Sequence, residues 1–255
     1  MIKQLVQHRF LLEELTKRDF KTKYKGTVLG MAWSVLSPLL TLLIMRTVFS
    51  HFFGNSISHY TIFIFCGNIV FSYFSEATSQ GMMSLVGNAN IFTKVNVPKY
   101  LFLLAKNVQT LLNFGLTLVV FVIICLLDGI MPTWRWILLV FPITMLVLFN
   151  FGCGLVLSAL YVFFRDMQYL WSVFVTLLLY ISAVFYDIST FTPTVQNLFL
   201  LNPIYLFIRY FRKIVIDMAV PDPRFHMLML LETGVVLLLG AYMYKKYNNE
   251  FLYYV

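Results

Sequence analysis

Long runs of apolar residues dominate the chain, and six of them have about the length that a helix needs to cross a bilayer. Crossing the hydrocarbon core takes about 20 apolar residues in a helix, and a spanning backbone must satisfy its own hydrogen bonds. The pattern therefore predicts an all-α membrane protein. Its six transmembrane helices are expected at residues 30–53, 60–80, 102–127, 136–163, 169–186 and 227–244.

Residues 1–29, ahead of the first span, alternate apolar and charged positions with a helical period. At 100° per residue one broad arc collects Ile2, Leu5, Val6, Phe10, Leu12, Phe20 and Tyr24. The opposite side collects Lys3, Gln7, Glu14, Arg18, Lys21 and Lys25, while Arg9, Glu13 and Lys17 interrupt the apolar arc. Such a segment is typical of a helix that lies in the membrane interface with its cations toward anionic head groups.

The segment 187–226 is about 40 residues long and too apolar for a solvated loop. Two apolar stretches, 195–201 and 204–216, flank Asn202 and Pro203, and each is too short to span a bilayer. We predict a re-entrant helical hairpin that turns at Asn202-Pro203 in the outer half of the membrane. A pair of helices on the periplasmic surface is the alternative.

Composition agrees with a single membrane domain over residues 1–255. Hydrophobic residues make up 60% of the chain, charged residues only 12%, and the mean hydropathy is +0.81, whereas soluble domains carry about 25% charged residues. No polar stretch is long enough for a second, soluble domain, and residues 227–255 supply the sixth span and a short tail.

Lysine and arginine predict the orientation. Seven of the 19 basic residues lie within the first 25 positions, and the predicted inner loops add Lys94, Lys99, Arg165, Lys245 and Lys246. Since cytoplasmic loops carry the excess of basic residues, both termini are expected in the cytoplasm. A basic block directly before a span is a topology signal, so we expect no nucleic-acid partner.

Motifs for catalysis are absent from the sequence. It contains no GxxxxGK[ST], HExxH or GxSxG pattern and no glycine-rich dinucleotide loop. The cysteines stand singly in apolar runs, and the histidines are scattered near predicted membrane edges, so we predict no metal, no cofactor and no catalytic residue in this chain.

Four charged residues fall inside predicted spans, where charge is costly. Arg46 and Glu232 are expected at similar depths, and we hypothesise that they pair or line a wet cavity, with independent snorkelling as the alternative. Glu76 either faces a pore or reaches the inner head groups. Lys106 lies near the inner end of the third span, where it can snorkel. Two carboxylates at different depths make a poor proton relay, so the energy for any transport is expected from a partner.

Two predicted inner elements could contact such a partner and transmit its movement to the spans: the loop 87–100 and the turn 163–166. For Arg165 and Asp166, capping of a helix end is an equally good interpretation. On the outer hairpin, Arg209, Arg212 and Lys213 are spaced to share one helix face. We interpret them as a cationic stripe for lipid or cargo phosphates, with a solvated face as the alternative.

The chain resembles the membrane subunits of polysaccharide-export ABC transporters, which export O-antigen, capsule and teichoic acid. The similarity begins in a basic interface helix followed by a Tyr-x-x-(Ser/Thr)-x-Leu-Gly pattern and a Trp before a Pro. These positions are Tyr24, Thr27, Leu29, Gly30, Trp33 and Pro38. The loop 90–98, the exit of the fourth span at 156–166 and Asn202-Pro203 also look like the family's elements, whereas Arg46 departs from the apolar residue expected there.

The resemblance implies a homodimer that works with two copies of a separate ATPase subunit, which binds ATP and Mg²⁺. Its cargo would be a polysaccharide on a polyprenyl diphosphate, carried across the bacterial inner membrane. The residues implied beside the ATPase are Asn90, Lys94, Pro98, Lys99, Arg165 and Asp166. Those implied in the interface helix and substrate path are Lys17, Arg18, Asp19, Tyr24 and Trp33, and those in the outer gate are Asn202, Pro203, Arg209, Arg212 and Lys213.

Three other functions stay open at this stage. An ABC exporter of a small lipid or drug would share the architecture. A proton-coupled carrier would depend on the proton gradient, and a membrane-embedded transferase would need a set of catalytic acids or histidines.

Overall fold

The structure is a computed structural model that describes residues 8–54, 57–95, 97–189 and 191–254. These residues form helices and connecting turns, with no β-strand among them. The α-helices in chain order are α1 Arg9–Tyr24, α2 Trp33–Phe53, α3 Tyr60–Met82, α4 Ala89–Phe92, α5 Tyr100–Leu127, α6 Val140–Phe163, α7 Met167–Ile181, α8 Pro193–Phe199, α9 Pro203–Val215 and α10 Pro223–Tyr247. Short 3₁₀ turns precede α2 and α6, at Gly30–Ala32 and Trp134–Leu139.

Four helices of the described chain are long and apolar enough to cross a membrane: α2, α5, α6 and α10, with α2 and α6 counted from their 3₁₀ turns. The predicted second span corresponds to α3, which has 23 residues and carries more polar side chains. The predicted fifth span, 169–186, is wrong at its end, because α7 stops at Ile181 after 15 residues. At about 1.5 Å per residue α7 is roughly 22 Å long, shorter than the hydrocarbon core.

Helix α3 is the centre of the bundle and packs against α2, α5, α6, α7 and α9. Protein rather than lipid therefore surrounds it, which explains how a spanning helix tolerates Asn68 and Thr78 in buried positions. The longest packed pair is α6 with α10. A Cβ on Gly240 would lie 2.6 Å from the Leu155 Cβ, and one on Gly152 would lie 3.0 Å from the Leu237 nitrogen. Only glycine permits this approach of the two helices.

The interface helix is present as α1, which packs along α5. Its buried residues are Leu15, Thr16, Asp19 and Tyr24, while Phe10 is 77% exposed. The predicted apolar arc is therefore only partly the packed face, because an ion pair described below buries Asp19. The N-terminal part of the predicted helix, residues 1–7, lies outside the described residues.

The segment before the last span forms two short helices, α8 and α9, that meet at Asn202 and Pro203, as predicted. Helix α9 is enclosed by α3, α6 and α10, and its residues Leu206, Phe207 and Ile214 have no exposed surface. Its enclosure agrees with a hairpin that enters the bundle and disagrees with a pair of surface helices. Below, the end of the bundle that carries α1 and α4 is called the inner end, and the end that carries α8 the outer end.

Candidate functional site

A cavity of about 380 Å³ lies toward the inner end, between α1, α2, α3 and α5. Most of the side chains around it carry a hydroxyl, an amide or a charge, although α2 and α5 are otherwise apolar helices. The lining includes Lys23, Tyr24, Thr27, Trp33, Ser34, Ser37, Thr41, Asn68, Ser72, Tyr73, Glu76, Thr110, Asn113 and Thr117.

Helical spacing explains how three spans line the cavity with polar groups. Residues three or four positions apart share one helix face. The polar residues are Ser34, Ser37 and Thr41 on α2; Asn68, Ser72 and Glu76 on α3; and Thr110, Asn113 and Thr117 on α5. Each set follows this spacing. Only Glu76 among them was predicted from the sequence, although the repeated three- and four-residue spacing of small polar residues inside apolar spans is visible there.

Glu76 is the acidic centre of the cavity and is held from two sides. The Lys23 ammonium donates to Glu76 Oε1 at 2.6 Å, and Asn113 Nδ2 donates to the same oxygen at 3.0 Å. Tyr24 Oη in turn donates to Asn113 Oδ1 at 3.0 Å. The carboxylate therefore lines the cavity, and Lys23 and Tyr24 connect the end of α1 to α3 and α5. The position of Glu76 at a pore or near the inner head groups stays a prediction.

A second polar network joins α1 to α5 nearer the inner surface. Asp19, only 7% exposed, accepts from Lys106 Nζ at 3.0 Å and from Arg18 Nη2 at 2.8 Å. Arg18 also donates to Asn88 Oδ1 at 2.7 Å, just before α4. Lys106, which the sequence placed where it could snorkel, is thus paired with Asp19 inside the protein. Lys17 pairs with Glu14 on the exposed side of α1.

Trp33, the first residue of α2, completes the cavity wall and is 40% exposed. The chain between α1 and α2 turns through two glycines of positive φ, Gly26 (79°) and Gly30 (53°), a backbone conformation that other residues rarely adopt. Pro38 lies inside α2 and lines the same cavity. It removes one backbone hydrogen bond of α2 at the cavity wall.

Comparisons with known proteins identify the family. The sequence profile of the ABC-2 type transporter family matches residues 11–216, which is most of the chain. This chain belongs to the ABC-2 type transporter family. It is therefore a membrane-embedded subunit of an ABC transporter, in which a separate subunit hydrolyses ATP.

Similar curated proteins carry more specific names. The O-antigen export system permease protein RfbA of Myxococcus xanthus is 30% identical over 245 residues, covering 94% of this chain and 93% of that protein. An RfbA of Klebsiella pneumoniae is 28% identical over 230 residues, covering 82% and 88%. The polysialic acid transport protein KpsM of Escherichia coli is 20% identical over 244 residues, covering 94% and 95%.

On the inner side of this ABC-2 subunit, the residues implied beside the ATPase separate into two groups. Asn90, Lys94, Arg165 and Asp166 are exposed, as a docking surface requires, and Pro98 is half-buried. Lys99 is buried instead: its ammonium donates to the Asn248 carbonyl oxygen and lies 5.5 Å from the Phe251 ring centroid. Burial lowers the pKa of Lys99 from its ordinary value. Lys99 therefore holds the C-terminal segment in place and offers little to a partner.

The C-terminal segment was missed by sequence analysis, and it bridges both inner elements. Besides contacting Lys99, it packs Phe251 and Tyr254 against Phe163, at 5.9 and 5.0 Å between ring centroids. The Tyr254 carbonyl accepts from Arg165 at 3.4 Å. Asp166 stands at the N-cap position of α7, but its side chain makes no capping hydrogen bond. The capping interpretation is therefore not supported for the Asp166 side chain.

On the outer side, Asn202 performs the predicted turn. Its Oδ1 accepts from the Ile204 nitrogen at 3.0 Å, capping α9, and its Nδ2 donates to Ser182 Oγ at 3.0 Å. Pro203 takes the first helical position, where a missing N–H costs nothing.

The predicted cationic stripe on α9 is wrong for Arg212. This guanidinium is buried and donates to the carbonyls of Phe63, Ala183 and Val184, at 3.2, 2.9 and 2.8 Å. The two remaining cations are partly exposed and have local partners: Arg209 donates to Tyr205 Oη at 2.9 Å, and Lys213 pairs with Asp222 at 3.2 Å. Because α9 is enclosed on most sides, the three cations differ in exposure even though their spacing places them on one helix face.

The hypothesised pair of Arg46 and Glu232 does not form within the described chain. Glu232 is half-buried on α10, and its Oε2 has no hydrogen-bond partner. Arg46 is exposed on α2 and lines a different, outer cavity with His51 and His59. Among the described residues, no group of three or more metal-ligating side chains is arranged to hold a metal ion.

Proposed function

We propose that this chain is the permease subunit of an ATP-driven exporter that moves a lipid-linked polysaccharide from the cytoplasm across a bacterial inner membrane. Two copies would work with two ATPase subunits, with both termini in the cytoplasm. The observation that carries the proposal is the polar inner cavity in a chain that aligns over 94% of its length with an O-antigen export permease. The relatives' names supply the class of cargo.

The lining of the cavity offers hydrogen-bond partners to a hydroxyl-rich cargo. Binding sites for small molecules usually place only a few polar groups among apolar side chains. Here hydroxyls and amides from three spans surround the paired Glu76 and Lys23. Such groups donate to and accept from sugar hydroxyls or a diphosphate without large rearrangement.

A proton-coupled carrier is supported less well by the same charges. Glu76 is already engaged by Lys23 and Asn113. Glu232 lies on α10, which is not among the helices that line the cavity, and has no described partner at Oε2. A relay needs a chain of ionisable groups, and these two carboxylates belong to separate surroundings.

The test is export in a bacterium that lacks its own permease and receives this chain with its ATPase subunit. Surface polysaccharide should appear, should require the Walker lysine of the ATPase, and should persist when the proton gradient is dissipated while ATP is maintained. The proposal would be refuted if export stopped when the proton gradient was dissipated and continued when the Walker lysine of the ATPase was replaced.

A matched pair of threonine variants addresses the cavity itself. Thr117 lines it and donates to the carbonyl four residues earlier at 3.1 Å, and Thr144 makes the same bond at 2.8 Å on an exposed face of α6. Loss of one hydrogen bond is worth about 0.5–1.5 kcal/mol. We expect Thr117→Val to lower export by roughly two- to tenfold and Thr144→Val to leave it unchanged. Equal losses of export in the two variants would contradict a role of the cavity in export.

A further inference from the structure

An outer cavity of about 490 Å³ lies beside the end of α2, away from the inner cavity. The described residues that line it are Arg46, Ser50, His51, Gly54, Ile57, His59, Tyr60 and Thr61. None of them carries a carboxylate, whereas arginine, histidine, serine and threonine all offer hydrogen-bond donors. A lining of donors without acids suits an anion.

Arg46 is the unusual member of this set, because a cation inside a span is costly unless it has a partner. It forms no hydrogen bond or ion pair with any residue that the structure describes. The Asp128 carboxylate, which contacts this lining through His59, is already paired with His59 Nδ1 at 2.6 Å. Glu232, the acid that was hypothesised to pair with Arg46, forms no ion pair with it among the described residues. Within one chain, the described residues therefore leave the Arg46 charge uncompensated.

Depth indicates which anion is available to Arg46. It lies seven residues before the end of α2 at Phe53, which is about 10 Å along the helix axis. Ser50 and His51 follow at the i+4 and i+5 positions and line the same cavity toward the outer surface. An arginine that snorkels along this face brings its guanidinium to the boundary where lipid phosphates lie. Its planar fork binds a phosphate through two hydrogen bonds at once.

We propose that Arg46, His51 and the outer cavity form a binding site for the phosphate group of a lipid in the outer leaflet. Two lipids carry that chemistry: an ordinary anionic phospholipid, and the polyprenyl diphosphate that carries the cargo. In the second case the site receives the diphosphate on the outer side after translocation. That case rests on the proposed export function, whereas the phosphate site itself does not.

The experiment measures lipid retention by the intact complex of permease and ATPase with native mass spectrometry. The probes are dioleoyl phosphatidylglycerol, a polyprenyl diphosphate without sugar, inorganic phosphate and, as an uncharged control, dioleoylglycerol. The variants are Arg46→Leu, Arg46→Lys and His51→Leu. Arg224→Leu is the matched control, because Arg224 is an exposed cation near the outer end that does not line this cavity.

We expect Arg46→Leu to weaken retention of a phosphate-bearing lipid at least tenfold, with Arg46→Lys and His51→Leu intermediate and Arg224→Leu unchanged. Stronger retention of the diphosphate than of phosphatidylglycerol assigns the site to the cargo carrier, and equal retention assigns it to a resident phospholipid. Both results support the phosphate site.

Three results would overturn the proposal. The first is an equal loss in Arg46→Leu and Arg224→Leu, which would reflect general surface charge. The second is a complex that retains inorganic phosphate but neither of the two phosphate-bearing lipids. The third is a changed subunit stoichiometry in Arg46→Leu with unchanged lipid retention, which would make Arg46 an assembly residue. Because the experiment measures lipid retention and not export, a negative result would not contradict the exporter proposal, which has its own test.

Discussion

Arg212 offers a sharp test of how the outer hairpin is held, because its three hydrogen bonds connect three elements. The guanidinium joins α9 to Phe63 near the start of α3 and to Ala183 and Val184 after α7. It also lies 3.4 Å from the Phe63 ring centroid. Ala183 has a positive φ of 50°, so its carbonyl sits on a turn that the arginine stabilises.

The cost of Arg212→Ala follows from these contacts. A hydrogen bond with one charged partner contributes about 1.5–3 kcal/mol, so three have a gross value of about 4–9 kcal/mol. Burying the guanidinium offsets part of this sum, since desolvation of an ion costs several kcal/mol. The carbonyls left behind lose their donors in a buried place. We expect a net loss of about 3–5 kcal/mol in the free energy of unfolding. Arg212→Lys should recover at most one of the three bonds, because an ammonium lacks the fork geometry.

The measurement is thermal unfolding of the purified complex, with Arg209→Ala as the matched control. Arg209 is one turn earlier on the same helix, is partly exposed and donates to one neutral hydroxyl, so we expect a loss below about 1 kcal/mol. At about 2–4 °C per kcal/mol for a chain of this size, Arg212→Ala should lower the melting temperature by roughly 6–20 °C. Equal melting of the two variants, with export lost only in Arg212→Ala, would refute the structural role and restore a ligand-binding one.

Three further predictions concern the helix packing and the buried charges. Gly240→Val should lower the melting temperature, because the added carbons meet Leu155 on α6 and overpacking costs about 1–3 kcal/mol. Gly234→Val on the same helix is the control: its side chain meets open space, so stability should change by less than about 1 kcal/mol. Asp19→Asn should lower the free energy of unfolding by about 1.5–3 kcal/mol, because it leaves the Lys106 ammonium without its anion. Restored stability in the double variant with Lys106→Met would confirm the pair, whereas additive losses would contradict it. Glu232→Gln should leave ATP-driven export unchanged within twofold, since the amide keeps the side chain's shape; a loss of export in this variant would reopen the proton-coupled alternative.

The sequence predicted those parts of the fold that the membrane imposes on any chain. Each spanning helix must present a long apolar run, so their positions were visible as hydropathy. The turn of the hairpin was visible for a local reason, since Asn at the N-cap and Pro at the first helical position stabilise the start of a helix together. The end of α7 was not visible, because residues 183–186 continue the apolar run, although they lie in a turn whose Ala183 and Val184 carbonyls accept from Arg212.

Contacts between distant positions account for most of what the sequence could not supply at the candidate site. Lys23 and Glu76 are 53 residues apart, and Lys99 reaches a carbonyl 149 residues later. No local spacing links such partners, so Glu76 was recognised as a charge in a span but not as half of an ion pair. The hydroxyl stripes that line the inner cavity are different, because each lies on a single helix and its spacing was present in the sequence.

Arg46 and Arg212 show why depth in the membrane is not enough to assign a role to a charge. Both are arginines toward the outer end of the bundle, and hydropathy treats them alike. The structure gives Arg212 three protein acceptors and gives Arg46 none among the described residues. A buried arginine whose hydrogen bonds are met by the protein stabilises the fold, whereas an exposed arginine in a span without protein partners is available to a ligand. The two variants should therefore separate: Arg212→Ala should lose stability, whereas Arg46→Leu should melt normally and lose lipid retention.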